Sequence, residues 1–171
     1  MGYCDLKDLI EGQRRLEVCV YDQQLLAIEF GVVVAAYPIS TAVLGVGEQT
    51  GSYQTPRGRH YVRAKIGQGV PLNGVFVGRR FTGEVYNEAL GQKFPNRDWI
   101  LTRIMWLSGL ESGFNRSGAK DSMRLYIYIH GTPDRYPMGE PGSKGCIRMR
   151  NQDVLTLYNW IPDACAVDIY A

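Results

Sequence analysis

The sequence predicts a mostly β fold with a few short helices, and three observations carry that prediction. Apolar residues alternate with a period of two over much of the chain, Gly and Pro interrupt it at short intervals, and helical periodicity is confined to one short segment near each end. At 171 residues, 45% hydrophobic and 21% charged, the composition is that of one ordinary globular domain spanning residues 1–171, with 1–15 as a short helical extension.

Taken in order, Asp5–Glu11 reads as that first helix, with Leu6, Leu9 and Ile10 on one side and Gly12 as its stop. The runs "RLEVCVY", "QLLAIEF" and "VVVAAYPIST" follow, separated by "DQ" and "FG", and predict an antiparallel meander. "VLGVGEQTGSYQTPRGRHYV" then holds four glycines and a proline before a strand resumes near His60. A long Gly-rich connection inside a small β domain points to function. From Lys65 to Asp98 the sequence predicts short strands and turns of undetermined pairing. Ile100–Leu107 alternates as a strand, and so does "RLYIYIHG", with Leu125, Ile127 and Ile129 on one face and Tyr126, Tyr128 and His130 on the other. Asn151 is a good N-cap for a helix carrying Val154, Leu157, Tyr158 and Ile161 and ended by Pro162; "AVDIY" is the last strand.

Charge and cysteine usage exclude several functions. A formal charge of +2 with no basic run gives no footprint for nucleic acid or a membrane surface. No stretch approaches the roughly 18 apolar residues of a spanning helix. The start "MGYCDLKDLIEGQRRLEV" shows no export signal, which leads to the expectation of a cytoplasmic protein, with the periplasm as the alternative if a leader has been removed. Cys4, Cys19, Cys146 and Cys165 form no CxxC pair, and with only two histidines zinc-ligand spacing is absent. Cys19 and Cys165 lie among apolar residues and read as buried small hydrophobes.

Cys146 differs from these. It follows the Gly- and Pro-rich loop "GTPDRYPMGEPGSKG", which leaves His130 at one end and returns the chain to Cys146 at the other. A thiol that attacks a carbonyl needs a base within reach and an electropositive, accessible setting. His130 at a strand end supplies the base; Lys144 and Arg148 are expected to favour the thiolate. Gly145 permits close approach of the backbone, with N–H groups around Gly145 and Cys146 available to a developing oxyanion. Set against this stands a structural histidine beside an inert cysteine. His60, outside this loop, reads as structural. Trp99, Trp106 and Trp160 read as core. Arg124, Arg135 and Lys144 are candidate partners for substrate carboxylates.

"IHG", "SKGCIRMRNQDV" and the upstream "TPRG" (Thr55 to Gly58) together resemble the L,D-transpeptidase (YkuD-type) catalytic domain of bacterial peptidoglycan enzymes, over nearly the whole chain from about Leu16. The resemblance implies a sandwich- or barrel-like β catalytic domain. It makes Cys146 the nucleophile, His130 its general base and the Gly131 carbonyl the third member that holds the imidazole tautomer. Ser143, Gly145 and Arg148 would shape the pocket, and Lys144 and Tyr128 join them as candidate substrate contacts. Lys144 departs from the commonest form, which has a second histidine there, and Arg148 stands where some members carry Asn.

Such enzymes attack the amide between meso-diaminopimelate and D-alanine of a murein tetrapeptide through a cysteine thioester, and neither metal nor organic cofactor is called for. Water as acceptor gives an L,D-carboxypeptidase; an amine of a neighbouring stem or lipoprotein gives a transpeptidase. A cytoplasmic address favours the carboxypeptidase, trimming muropeptides in recycling. A periplasmic cross-linking enzyme is the alternative, and an inactive murein-binding module a third reading. The pattern leaves the oligomeric state open.

Overall fold

The computed structural model describes residues 14–171; the expected helix Asp5–Glu11 and Cys4 lie outside them. The antiparallel meander is present as β1 (Arg14–Cys19), β2 (Gln24–Glu29) and β3 (Val32–Pro38). Phe30 and Gly31 both take positive φ in the β2–β3 turn, the backbone twist that two-residue hairpins favour. The Gly-rich connection leads to β4 (Gly58–Ile66), and β5 (Gly74–Val77) and β6 (Arg80–Val85) form a second hairpin turning at Gly78 and Arg79, again both at positive φ.

A helix absent from the sequence prediction follows: α1 (Glu88–Lys93), capped by Asn87, whose side chain accepts the Leu90 N–H at 2.8 Å. Then come β7 (Ile100–Gly109), β8 (Tyr128–Gly131), β9 (Ile147–Met149), α2 (Asn151–Trp160) and β10 (Ala166–Tyr170).

All ten strands belong to one sheet that forks at β7. The main path is β3-β2-β1-β10-β4-β7-β5-β6, and the branch is β8, antiparallel to β7, followed by β9, parallel to β8. β1 and β10 also run parallel. The fork lets the sheet cover the core from two sides, with α2 closing it: Leu16, Val18, Leu25, Met105 and Leu107 meet Ile129, Ile147, Met149, Val154 and Leu157, all buried. Each such side chain contributes about 1.5–3 kcal/mol on leaving water.

Two elements differ from the sequence expectation. β8 is shorter than "RLYIYIHG", because the chain turns before it: Tyr126 sits at φ 56° and its N–H bonds back to the Met123 carbonyl. Asn151 does not cap α2. The capping position is Arg150, which makes no side-chain cap bond, and Asn151 is buried inside the first turn. Its amide donates to the Thr132 carbonyl (2.8 Å) while its oxygen accepts the Thr102 hydroxyl (2.6 Å). The burial of a short polar side chain with good partners outweighs its capping preference.

Candidate active site

β8 and β9 place the two residues of interest at neighbouring strand ends. His130 pairs in register with Ile104 of β7 and Arg148 of β9, and Cys146 immediately precedes β9. Both line one cleft of about 560 Å³, together with Tyr53, Arg79, Asp98, Tyr126, Tyr128, Ser143, Lys144 and Arg148. The bend predicted for the loop between them is thus present, and it is sewn down by backbone bonds to residues 39–43: Gly139 N–H to Ile39, Gly142 and Ser143 N–H to Thr41, and Val43 N–H to Ser143.

His130 is buried, and its Nδ1 lies 2.7 Å from the Gly131 carbonyl oxygen. Gly131 itself has no room for a side chain, which would collide with Asn151 Oδ1 and the Leu101 carbonyl. Burial holds the His130 pKa down to about 4; the Gly131 bond and the charge of Asp98 oppose that shift, and Arg148 adds to it.

The Cys146 thiol is half-buried against Tyr128 and Ile104. It donates to the Tyr126 carbonyl at 3.4 Å and accepts the Tyr128 N–H at 3.4 Å. Burial pushes its pKa up to about 12, opposed by the Tyr128 N–H; Asp98 adds to the rise and Arg148 counters it. Arg148 acts in the expected direction, favouring the thiolate, but burial is the larger effect. Lys144 is exposed, and Arg148 is spent on the Asp98 carboxylate (3.2 Å) and the Gly142 carbonyl (2.8 Å). Burial thus favours the thiol over the thiolate and the neutral imidazole over the imidazolium.

The remaining predicted residues divide. Ser143 lines the cleft, but its hydroxyl is used within the loop, donating to the Cys146 carbonyl and accepting the Gly145 N–H at 3.2 Å. That removes Gly145 from the expected oxyanion donors. The Cys146 N–H, by contrast, has no hydrogen-bond partner among the described residues. Tyr128 is in the cleft with its hydroxyl accepting from Arg79 at 3.0 Å. His60 is structural, its ring nitrogens bonded to the Gly58 carbonyl (2.9 Å) and Ser122 hydroxyl (2.7 Å). Arg124 lines an adjoining concavity, and Arg135 pairs with Tyr136. Cys165 is buried as expected; Cys19 is only half-buried, and its thiol reaches Asp22 at 3.2 Å.

Among the cleft residues that escaped sequence reading are Tyr53, Arg79 and Asp98. For Arg79 a signal existed, since "VFVGRRF" is two β runs around a two-residue turn, which puts Arg79 at a hairpin tip. There its guanidinium lies 4.4 Å from the Trp106 ring centre and 5.2 Å from that of Tyr126. Tyr53 and Asp98 sit in segments without periodicity, and only the tertiary fold brings them in.

Comparison with known proteins gives a consistent picture. Among solved structures the chain is similar to the L,D-transpeptidase of Xylanimonas cellulosilytica, with 20% identity, a TM-score of 0.54, and coverage of 94% of this chain and 61% of that one. It is similar to an L,D-transpeptidase from Mycobacterium smegmatis at 14% identity and TM-score 0.54, covering 93% and 59%. It also resembles L,D-transpeptidase 3 from Mycobacterium tuberculosis, solved with a faropenem-derived adduct, at 16% identity and TM-score 0.55, covering 93% and 60%. At these identities the likeness concerns the fold, and the chain spans about three fifths of each of those proteins. No curated protein matches the chain. The L,D-transpeptidase catalytic domain (YkuD) matches residues 13–169, nearly the whole chain, and the protein therefore belongs to the YkuD family of L,D-transpeptidase catalytic domains.

Proposed function

We propose that the protein is a cysteine enzyme that cleaves the L,D amide between meso-diaminopimelate and the terminal D-alanine of murein tetrapeptides, with water as the preferred acceptor. The observation that carries this reading is one cleft lined by a half-buried thiol and a histidine with a fixed tautomer, beside a main-chain N–H, that of Cys146, with no partner among the described residues. Those are a nucleophile, its base and an oxyanion donor.

The step runs from the neutral pair. The S–H bond rotates about Cβ–Sγ, away from the Tyr126 carbonyl, and its proton passes to His130 Nε2 as sulfur attacks the diaminopimelate carbonyl carbon. The carbonyl electron pair moves onto oxygen, where the Cys146 N–H meets it. Collapse expels the D-alanine amine, which takes the proton from His130 and leaves a thioester. Water then attacks the thioester carbonyl and gives one proton to Nε2; the C–S bond breaks, the leaving thiolate takes that proton from His130, and the tripeptide carboxylic acid departs, losing its own proton to solvent. The reaction belongs, on this reading, to the cytoplasmic trimming of recycled muropeptides, with the periplasm as the alternative.

A second reading, transfer to an amine, is favoured by one feature. Two further concavities adjoin the cleft at Tyr53 and Lys144, one of about 450 Å³ walled by Val43, Leu44 and Gly142, and one of about 250 Å³ beside Arg124. A second stem would occupy such a groove. Incubating the protein with tetrapeptide, with and without an acceptor amine, separates the readings. Tripeptide and free D-alanine in both reactions are expected; cross-linked dimers at the expense of tripeptide would replace the carboxypeptidase by a transpeptidase. Acylation of Cys146 by faropenem, read by mass, belongs to the same proposal.

A further inference from the structure

We infer that Thr55, on the Gly-rich connection and outside the cleft, is a positioning residue that aims the Cys146 N–H at the oxyanion. The inference deepens the acyl-transfer reading above and rests on it only for the use of a tetrahedral step at Cys146.

Thr55 is fully buried, and its hydroxyl donates to the Gly145 carbonyl at 2.9 Å while accepting the Ala42 N–H at 3.1 Å. Its own backbone is fixed as well, N–H to the Gly45 carbonyl (3.0 Å) and carbonyl from the Gly47 N–H (3.0 Å). Gly145 carries φ 133°, a conformation that L side chains avoid, so local preference alone does not fix the orientation of the peptide that follows it. The Gly145–Cys146 peptide is planar and trans, so its carbonyl and N–H point in opposite directions. Thr55 takes the carbonyl end on the buried side. The N–H end is turned away from Thr55, and it has no partner among the described residues.

Ser143 holds the peptide on the other side of Cys146, by donating to its carbonyl, so the residue is clamped at both of its peptide groups. The two clamps differ in what they direct. Ser143 shapes the turn from within the loop, whereas Thr55 reaches it from 90 residues away in sequence and sets the peptide that carries the Cys146 N–H. With the Thr55 hydroxyl gone, the Gly145 carbonyl loses its buried donor and the peptide is free to rotate about its flanking torsions, taking the N–H out of line.

The test compares two reactions of the same thiol. Acylation by p-nitrophenyl acetate forms a C–S bond, sends the thiol proton to His130, places charge on the carbonyl oxygen, and expels p-nitrophenolate. Alkylation by iodoacetamide displaces iodide directly and forms no oxyanion. Thr55→Val is expected to slow acylation by about tenfold or more while alkylation stays within about twofold of wild type. Thr55→Ser, which keeps the hydroxyl, restores the wild-type ratio of the two rates. An unchanged ratio in the folded Val variant, or a Ser variant as impaired as Val, overturns the inference. If Val at this position does not fold, Thr55→Ala is held to the same ratio. A wild-type protein that acylates but releases no D-alanine from tetrapeptides removes the proposed substrate and leaves the role of Thr55 standing.

Discussion

His130 Nδ1 lies 2.7 Å from the carbonyl oxygen of Gly131, the next residue along the same strand. A carbonyl oxygen can only accept, so Nδ1 carries the ring proton and Nε2 keeps the lone pair. The strand end thereby selects the tautomer able to take a proton from a thiol.

From that relationship, His130→Gln is expected to lower kcat for D-alanine release by about 10²–10⁴-fold with a smaller change in KM. Cys146→Ala should fall to background. Steady-state assays on both variants decide the point, and a rate near wild type in either would remove the cysteine mechanism.

With His130 held near 4 and Cys146 near 12, the neutral pair predominates across the physiological range. The expected kcat/KM profile rises as His130 loses its proton around pH 4 and is then level through neutrality. Iodoacetamide alkylation should keep accelerating into alkaline solution with no plateau around neutrality. A rate that climbs between pH 6 and 8 and then levels would mean that a thiolate–imidazolium pair is the reactive form.

Stability should fall in acid through both histidines. Burial lowers His60 and His130 from 6.5 to about 4 in the folded protein, so the unfolded chain binds protons first as pH drops. Their contribution is complete above pH 6.5 and is lost as pH falls toward 4, on the order of 3 kcal/mol for each histidine. Urea unfolding at pH 7 and at pH 4.5 measures the loss. His60→Gln should show a shallower dependence than wild type; identical slopes would contradict the assignment.

Asp98 carries a charge that pushes the Cys146 pKa upward and at the same time occupies Arg148 at 3.2 Å. Asp98→Asn is expected to lower the thiol pKa and speed alkylation at pH 8 by about two- to tenfold. A slower reaction would show that the ion pair serves the cleft mainly by holding its shape.

Thr102, a β-branched residue at φ 70°, holds its strained backbone through two bonds: its hydroxyl donates to Asn151 at 2.6 Å and accepts the Asn73 N–H at 3.0 Å. Asn151→Ala removes the first of these and orphans the Thr132 carbonyl, and should destabilise the protein by about 1–3 kcal/mol in denaturant unfolding. A loss below that range would mean that water replaces the amide.

The meander, β7, α2 and β10 were legible because each carries an apolar period long enough to read. The His130 to Cys146 loop was legible because a rare nucleophile and a rare base bracket a Gly- and Pro-rich bend. α1 was missed: its six residues hold too little periodicity, and Asn87 with Glu88 was the available start signal. For the thiolate expectation, sequence shows only one side of the balance. Sequence places Lys144 and Arg148 beside Cys146, but the burial that dominates its pKa and the diversion of Arg148 to Asp98 are properties of the folded cleft. Asn151 likewise reads as a cap until Thr102 and Thr132 arrive from elsewhere in the chain.

β7 bonds to β4, β5 and β8, and β8 in turn carries β9, so the strand ends that hold His130 and Cys146 hang from the most heavily paired strand of the sheet. Amide exchange along β7 then requires opening of the whole domain, while the edge strand β3 can fray by itself. Heat inactivation and loss of the fold should consequently occur in a single transition.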